Sequence, residues 1–462
     1  MTLNDLAIQL FESKLQEKFI TQNSELRTPI HVVYGGADRF SAETPQKFGK
    51  LALKSLESFA PNFVEFANAM WLKGCDTLPI YEDAIAEIEF KLIENPEKVK
   101  DENFPAWFAW TIYNRTIEKL KREPIEDFRI DFEDGYGIRS NEEEDSHAIS
   151  ASNELAKSVT TQTNTPFSGF RIKSFQAETY NRAVRTLELF LSNFLEKTNG
   201  ALPQNLVVTL PKINKIEEVE VLHKLLTEFE KQNNLSQKSI KIEIMIETPF
   251  AVKNSDELVK VANGRCVAAH FGAFDYTASF GITAVHQHLK HPTCDFARNL
   301  MQLNLSPLGI RLSDSVTTEM PMPIHKGENL SAQQVKENNL AVHKAWRLHF
   351  NNVSHSLING FYQSWDLHPA QLVARYAAVY SFFLESFDAQ VKRLKGFLDK
   401  ATKATMSGNQ FDDAASANGL LNYFIRAISC KALTVNEVTA ATSLTVEELN
   451  SASFFKIMQG RN

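Results

Sequence analysis

The sequence predicts an α/β fold: a (β/α)8 TIM-type barrel with an expanded first βα connection and an all-α C-terminal tail. Eight β-prone apolar runs alternate with segments of helical periodicity, which is the strand count and order of such a barrel. A second observation is that a charged or polar residue follows most of these runs. Catalytic groups of this fold collect at the C-terminal ends of the strands, so these residues predict a shared pocket.

The elements follow in order along the chain. We predict an N-terminal helix over residues 1–27, a barrel over 28–385 with a helical insertion at about 40–127, and a helical tail over 386–462. The first interval is far longer than one helix requires, and the strand signal stops after Gln371. The predicted strands are Ile30–Gly35, Phe128–Phe132, Ser168–Ser174, Leu206–Pro211, Lys241–Glu247, Cys266–Gly272, Gly309–Asp314 and Gly360–Trp365.

Alternation within the strands assigns their faces. Glu243 and Glu247 share one face of the fifth run, opposite three isoleucines, and Arg129 and Asp131 share one face of the second. We expect these charged faces, and that of Arg171 and Lys173 on the third run, to line the lumen. A solvated antiparallel sheet would show the same alternation, but the intervening helices favour a parallel sheet covered on its outside.

Composition is that of a globular enzyme, with 43% hydrophobic and 23% charged residues among 462. The net charge of -7 argues against nucleic acid or an anionic membrane as the main partner. Four scattered cysteines predict free thiols in a reducing compartment, and neither a signal peptide nor a membrane-spanning run is predicted. These features together predict a cytoplasmic location.

Glu247 and Asp275 follow neighbouring strands and are the candidate metal ligands. Two converging carboxylates, completed by water and substrate oxygens, suit a hard divalent cation such as Mg²⁺ or Mn²⁺. Arg171 can present a planar fork to a carboxylate or an enolate oxygen. The alternative for any one of these residues is an ion pair at a strand end.

Three acidic residues lie at the end of the second strand, namely Asp131, Glu133 and Asp134. They could order water, orient Arg171 or hold the metal through an intervening group. A 2-oxo acid chelates Mg²⁺ through its carboxylate and carbonyl oxygens, so the set supports carbon–carbon bond cleavage or formation through an enolate.

At these motifs the chain resembles the HpcH/HpaI aldolase and citrate lyase beta-subunit superfamily, a phosphoenolpyruvate/pyruvate-type barrel, and it has motifs similar to those of malate synthases. The resemblance rests on DFED (Asp131–Asp134), FRIKS, LPKI, IMIETP, FGAFDY and LHPAQ, in the family's order. It implies that Arg171 contacts the substrate as a catalytic residue. The substrate-binding residues that we expect beside it are Asp131, Glu133, Asp134, Lys212 and His368. The resemblance also implies that Glu247 and Asp275 are the metal ligands.

The predicted function is a Mg²⁺-dependent lyase or aldolase acting on a 2-oxo acid or an acyl-CoA thioester. One alternative is a malate-synthase-like condensation, and another is a non-catalytic protein that binds a metal and a dicarboxylate. The resemblance further implies a homo-oligomer in which an acidic tail loop reaches a neighbouring site as a base. Asp413 matches that position best, with Asp412 beside it, although Asp412 could instead cap the following helix.

Two weaker signals lie outside this set. His286, His288 and His291 could bind zinc, but a solvated loop or a rim of the active site is favoured because no Cys or carboxylate has suitable spacing. The segment Tyr34–Phe40 follows the first strand and could cradle an anion, with Asp38 and Arg39 at the pocket mouth.

Overall fold

The computed structural model describes residues 5, 27–399, 405–407, 410–412 and 414–461. Eight parallel strands form a closed barrel in chain order, and the first strand pairs with both the second and the eighth. The predicted barrel fold is therefore confirmed. The strands are β1 (His31–Gly36), β2 (Asp127–Asp131), β3 (Phe167–Arg171), β4 (Leu206–Leu210), β5 (Lys241–Ile246), β6 (Cys266–Phe271), β7 (Arg311–Val316) and β8 (Gln363–Trp365).

Every predicted strand overlaps an observed one, and the largest shifts are at the third, seventh and eighth strands. Gly309 has a φ of 71° at the end of a short 3₁₀ turn, so β7 begins only at Arg311. The pairing of β7 with β8 slips between Asp314 and Val316, and β8 has just three residues. Such an irregularity bends the strand locally at the rim of a barrel.

Five helices fill the expanded first connection between β1 and β2. Asparagine side chains begin three of them, because Asn62, Asn95 and Asn103 each accept a backbone N–H of the first turn. The last of the five packs on the helix that follows β8. The helices are α1 (Thr44–Phe59), α2 (Phe63–Met70), α3 (Glu82–Glu94), α4 (Pro96–Glu102) and α5 (Phe104–Arg122).

The remaining connections place helices on the outside of the barrel. The outward residues of the strands are buried against them, as where Phe170 of β3 stacks on Phe190 with ring centroids 4.1 Å apart. These helices are α6 (Asn141–Thr160), α7 (Tyr180–Lys197), α8 (Ile216–Gln232), α9 (Pro249–Lys253), α10 (Ser255–Val261), α11 (Ala273–Ala278), α12 (Pro292–Leu305), α13 (Ala332–Ile358) and α14 (Gln371–Leu384).

The lumen is charged rather than aliphatic. Arg129 of β2 contacts Asp127 and, across the barrel, Glu243 of β5 at 3.3 Å, while the Tyr34 hydroxyl of β1 donates to Glu243 at 3.0 Å. Burial alone would raise the pKa of Glu243, but the charge of Arg129 and the other lumen contacts of Glu243 together outweigh it and lower the pKa to about 2. The predicted inward faces of β2 and β5 are confirmed.

The predicted inward direction of Lys173 is wrong. Strand β3 ends at Arg171, and beyond it the Lys173 ammonium donates to the Phe132 carbonyl and pairs with Glu144 of α6 at 3.1 Å. Strict alternation applies only while the strand continues, so a residue two places past its end is free to turn outward.

The tail comprises α15 (Phe387–Asp399), α16 (Ala414–Ser429), α17 (Val435–Thr442), α18 (Val446–Ser451) and α19 (Phe454–Arg461). The loop predicted between its first two helices holds a two-stranded antiparallel hairpin, Thr405–Ser407 with Gln410–Asp412. Asp413 lies outside the described residues, as does nearly all of the helix predicted over 1–27. Within the described part of the chain, no helix combines the length and apolarity that a membrane crossing requires.

Candidate active site

The candidate site lies at the C-terminal end of the barrel and is built around Arg171. The guanidinium donates from Nε to Asp131 Oδ1 at 2.7 Å and from Nη2 to Asp131 Oδ2 at 2.6 Å. The same carboxylate accepts the backbone N–H groups of Glu133 and Gly135 at 3.0 and 2.8 Å. Asp131 therefore fixes the orientation of Arg171. The Asp131 carboxylate has no acceptor position left for substrate, because Arg171 and the two backbone amides occupy all of them.

The other side of Arg171 meets a carboxylate and two aromatic rings. Its Nη1 lies 3.1 Å from Glu133 Oε2 and 3.4 Å from the Met245 sulfur. The guanidinium carbon lies 4.9 Å from the Tyr34 ring centroid and 5.8 Å from that of Trp365. Burial opposes the charge, but Asp131 and Glu133 raise the pKa of Arg171 above its ordinary value.

Lys212 follows β4 in the left-handed region, with a φ of 52°. This turn directs its backbone N–H at Glu247 Oε1, 2.6 Å away, while its ammonium lies 2.8 Å from both Glu133 and Asp134. Burial lowers the pKa of Lys212, but these two carboxylates outweigh it and raise the pKa above its usual value. The amine stays protonated, so it can act electrostatically and is not prepared for attack on a carbonyl.

The two predicted metal ligands come from neighbouring strand ends. Glu247 follows β5 and is buried, whereas Asp275 is an exposed residue in the first turn of α11, just after β6. Burial and then the negative charge of Asp275 raise the pKa of Glu247 to about 8. The Asp275 carboxylate has no hydrogen bond or ion pair with any residue that the structure describes.

A close backbone approach at Gly272 makes room for Glu247. A Cβ atom at Gly272 would lie 2.4 Å from Glu247 Cβ and 2.7 Å from its Oε2. The Gly272 amide also donates to the Ile246 carbonyl at 3.1 Å, which ties β6 to the end of β5. Glycine is required because any side chain would displace the carboxylate.

The donor set of this site fits a divalent cation. Five carboxylates (Asp131, Glu133, Asp134, Glu247 and Asp275) converge with two cationic side chains, Arg171 and Lys212. The site therefore carries an excess of negative charge, and Glu247 and Asp275 are the carboxylates that the two cations leave least neutralised. Within the described residues, no group of three or more His, Cys, Asp or Glu side chains forms a complete ligand set, so water or substrate oxygens would have to finish the shell.

Other predicted residues lie away from this cluster. His368 Nδ1 accepts the Ala370 backbone N–H at 3.2 Å, and among described residues the imidazole contacts none of the charged groups above. His291 caps α12 by accepting the Thr293 N–H, and its ring lies 5.8 Å from that of His288. Asp38 and Arg39 pair with each other at 3.8 Å in the turn after β1.

An apolar groove of about 600 Å³ lies beside the helix that carries Asp275. Two of its aromatic residues, Phe280 and Phe296, are 53% and 61% exposed. The lining residues are Tyr276, Phe280, Ile282, His291, Pro292, Thr293 and Phe296. The groove is formed by the segment inserted after Asp275.

Three residues at the site carry no charge and were not predicted as part of it. Tyr34, His270 and Trp365 form an aromatic group in the upper lumen, with ring centroids 4.6 to 5.7 Å apart. His270 and Trp365 lie within β-prone runs, where they are indistinguishable from core residues by composition. The alternation applied to β2 and β5 would have placed His270 on the lumen face, two residues before Gly272.

The closed eight-stranded parallel barrel defines the class of protein as a TIM-type barrel, and its fold is similar to that of a solved citrate lyase. A citrate lyase from Burkholderia xenovorans LB400 superposes with a TM-score of 0.52 at 18% identity, over 74% of this chain and 92% of that one. Two further structures are more distant. A Mycobacterium tuberculosis citrate lyase beta subunit complexed with oxaloacetate and magnesium has a TM-score of 0.35 at 17% identity, over 58% of this chain and 93% of that one. Haloferax volcanii malate synthase has a TM-score of 0.41 at 13% identity, over 71% of this chain and 89% of that one.

The resemblance predicted from the motifs is thus confirmed, as a likeness of fold. The chain itself belongs to the family described as Domain of unknown function (DUF6986), whose model matches residues 8–457. No curated protein matches it in sequence.

Proposed function

We propose that this protein is a Mg²⁺-dependent carbon–carbon lyase of the aldolase type, acting through an enolate on a 2-oxo acid or an acyl-CoA thioester. The observation that carries the proposal is the meeting of Glu247, Asp275 and Arg171 from three different strand ends in a site with excess negative charge. A single ion pair at a strand end has no net charge, whereas this group of side chains has an excess of carboxylates over cations.

Glu247 and Asp275 would hold Mg²⁺ or Mn²⁺ through their carboxylate oxygens. When bound, the cation supplies Lewis-acid polarisation of a substrate carbonyl. The Lys212 backbone N–H fixes one oxygen of Glu247 at 2.6 Å and leaves the other for this purpose. Gly272 keeps that second oxygen accessible.

Arg171 would stabilise the negative charge that develops on a substrate oxygen. Asp131 uses one edge of the guanidinium, and Nη1 contacts Glu133 and Met245. A substrate oxygen would therefore take the remaining N–H of Nη2 or replace Glu133 at Nη1. The direction of these N–H groups is set in advance by buried contacts, and donors fixed in this way need no reorganisation during the reaction. Lys212 adds a second positive charge held in place by Glu133 and Asp134.

The proton acceptor in this proposal is Asp413 of a neighbouring copy, in a homo-oligomer, with Asp412 as the alternative. A carboxylate of the tail could take the α-proton and also exclude water once substrate is bound. The support is the motif position of NQFDD, between two helical segments of the tail.

The metal assignment is tested with Glu247→Gln and Asp275→Asn, which keep shape and remove charge. Both variants should lose Mn²⁺ affinity, measured by electron paramagnetic resonance. Both should also lose metal-dependent turnover of a substrate panel that contains oxaloacetate, 4-hydroxy-2-oxo acids, and malyl- and citramalyl-thioesters. Asp256→Asn is the control, since Asp256 forms an exposed pair with Lys260 on α10. Wild-type metal affinity in either variant would overturn the assignment. Binding of metal and acid without any turnover would favour the non-catalytic alternative.

Arg171→Lys tests the role of the guanidinium. We expect kcat/KM to fall at least a hundredfold, on the order of ~3 kcal/mol, because lysine keeps the charge and loses the fixed fork. Arg185→Lys is the matched control, because Arg185 holds Asp145 in a similar pairing on an exposed surface. A higher KM with unchanged kcat would show that Arg171 serves only uniform substrate binding.

A malate-synthase-like condensation of an acyl-CoA thioester is the second candidate, and the groove beside Asp275 favours it. Its volume and exposed aromatic residues suit the apolar arm of a thioester extending from the barrel mouth. Phe296→Ala should then raise KM for acetyl-CoA in an assay with glyoxylate and leave KM for free 2-oxo acids unchanged. Equal effects on both substrate classes would remove the groove from this role.

A further inference from the structure

The backbone ladder between β4 and β5 stops just before the turn that carries Lys212. Its last pair is Leu210 with Ile244. Pro211 follows Leu210 and has no N–H to donate to a ladder. Beyond this point, at the level of Glu247, side chains join the two chain segments instead.

Two consecutive residues after β5 supply these side-chain contacts. Glu247 Oε1 accepts the Lys212 backbone N–H at 2.6 Å. Thr248 donates its hydroxyl to the Ile213 carbonyl, also at 2.6 Å. The same hydroxyl oxygen accepts the Ala251 N–H at 3.0 Å, which places it at the start of α9. The turn after β4 is thus attached to the residue next to the candidate metal ligand.

Lys212 has a backbone conformation that a residue with a side chain adopts at a cost in free energy. Its φ of 52° lies in the left-handed region, and such conformations persist where surrounding contacts determine them. Asn214 supplies two of these contacts. Its Nδ2 donates to the Lys212 carbonyl at 3.0 Å, and its backbone N–H donates to Oε1 of the buried Glu218 at 3.3 Å.

The conformation of Lys212 sets the position of two groups of the site. Its N–H meets Glu247, and its ammonium lies 2.8 Å from both Glu133 and Asp134. Rotation about the N–Cα bond changes the angle between the N–H and the side chain. A return to negative φ would therefore separate at least one of the two groups from its partners.

We propose that Thr248 and Asn214 are positioning residues of the metal site. By holding Lys212 in its left-handed conformation, they fix the Glu247 carboxylate for cation binding. This inference rests on the proposed function, because it concerns a carboxylate that the proposed function assigns to the metal. Both residues act through the turn, and the ligand remains Glu247.

Thr248→Val tests the hydroxyl, because valine has the shape of threonine without the donor. Its Mn²⁺ affinity, measured by electron paramagnetic resonance, should fall about fivefold or more. Thr248→Ser keeps a hydroxyl and should bind Mn²⁺ within about twofold of the wild type. Thr434→Val is the matched control, because Thr434 also begins a helix, α17, by accepting a backbone N–H, that of Glu437 at 3.1 Å. Loss of a helix cap is common to both valine variants, so a difference in affinity reports the turn.

Asn214→Ala tests the second contact and alters only an exposed side chain, so the fold should persist. Removing the bond to the Lys212 carbonyl should lower Mn²⁺ affinity about threefold or more. Asn233→Ala is the control, because the exposed Asn233 likewise donates Nδ2 to a backbone carbonyl, that of Phe229 at 2.9 Å at the end of α8. Its Mn²⁺ affinity should equal that of the wild type.

A spectroscopic readout follows the Lys212 N–H directly and requires no metal. In protein labelled with ¹⁵N-lysine, Lys212→Arg assigns its backbone amide signal. That signal should lie downfield, as expected of a short hydrogen bond to a carboxylate. It should move upfield in Thr248→Val and in Asn214→Ala, and stay in place in Thr248→Ser and Thr434→Val.

The outcomes are distinguishable. Wild-type Mn²⁺ affinity in both Thr248→Val and Asn214→Ala would overturn the positioning role and leave the proposed metal pair standing. So would an amide signal that stays in place in both variants, or an equal loss of affinity in Thr434→Val. If Thr248→Val does not fold, the affinity and the amide signal of Asn214→Ala decide the question. Absence of Mn²⁺ binding by the wild-type protein would overturn the proposed function, and this inference with it.

Discussion

Gly272 is the residue whose replacement tests the site with the smallest possible change. A single methyl group there would meet Glu247 Cβ at 2.4 Å, and the carboxylate would have to move. We predict that Gly272→Ala lowers Mn²⁺ affinity about tenfold or more, while the fold persists because the clash is confined to the barrel rim. Metal titration of the purified variant measures this.

Gly396→Ala is the matched control for that experiment. Gly396 lies in α15, and a Cβ there has nothing within 4 Å. Alanine in a helix interior should stabilise the protein by about 0.5–1 kcal/mol and leave metal affinity unchanged. If Gly272→Ala behaves in the same way, Glu247 tolerates the added atom and does not define the metal position.

His270 should make the stability of the protein depend on pH in a specific window. Its pKa is lowered to about 4 by burial, against about 6.5 in the unfolded chain, so the unfolded state binds the proton more readily. The contribution is fully present above pH 6.5 and is lost as pH falls toward 4. The expected loss is on the order of 3 kcal/mol in the free energy of unfolding.

Urea unfolding at pH 7 and pH 4 measures this for the wild type and for His270→Gln. The variant should lose less stability between the two pH values than the wild type does, by that amount. Comparing the two proteins cancels the contributions of groups that titrate in both, including the buried His349, whose pKa burial also lowers. Identical losses in the two proteins would show that His270 does not control acid sensitivity.

At the scale of elements, a buried polar network joins β8 to β1 and to two outer helices. Asp366, just after β8, accepts from Arg375 of α14 at 2.8 Å and lies 2.8 Å from His349 Nε2 of α13 and 3.0 Å from His31 Nδ1 of β1. Burial raises the pKa of Asp366, but Arg375 and the two histidines outweigh it and lower the pKa well below its usual value. The carboxylate therefore stays ionised between three partners.

We predict that Asp366→Asn destabilises the protein by about 3–5 kcal/mol, because it leaves Arg375 buried without a counter-charge. Denaturant unfolding measures the change. Asp388→Asn removes an exposed pair with Lys100 and should cost less than about 1 kcal/mol. Similar values for the two variants would mean that solvent reaches the network.

The strands could be predicted because their outward faces are aliphatic and their ends are charged. Ile242, Ile244 and Ile246 mark β5, and Glu247 directly after them marks its end. What could not be predicted depends on partners distant in sequence. The indole N–H of Trp365 and the ring of His270 can be recognised as neighbours only once β6, β7 and β8 are adjacent. His368 is held by a local turn that no spacing rule describes.

At the scale of the whole molecule, the tail determines whether the site is shared between subunits. We predict a homo-oligomer in which Asp413→Asn chains and Glu247→Gln chains, each inactive alone, regain activity when mixed. Each hybrid site would combine an intact metal pair with an intact Asp413 from the neighbouring copy. Turnover after subunit exchange measures this, with exchange verified independently by mass labelling.

Lack of rescue despite verified exchange would show that Asp413 does not act across subunits. The same mixture with Asp412→Asn in place of Asp413→Asn identifies which of the two neighbouring carboxylates is required. If Asp412→Asn chains are active alone, Asp412 serves only the structure of the hairpin in which it pairs with Thr405.

The charged lumen also has a consequence for the response of the fold to heat. Arg129, Asp127 and Glu243 are wholly buried at the barrel's centre, where TIM barrels ordinarily carry branched aliphatic residues. The hydration of charged groups becomes less favourable as temperature rises, so the cost of keeping these three side chains out of water falls on warming. The free-energy cost of burying these three charges is thus largest at low temperature and smallest near the temperature at which the protein melts.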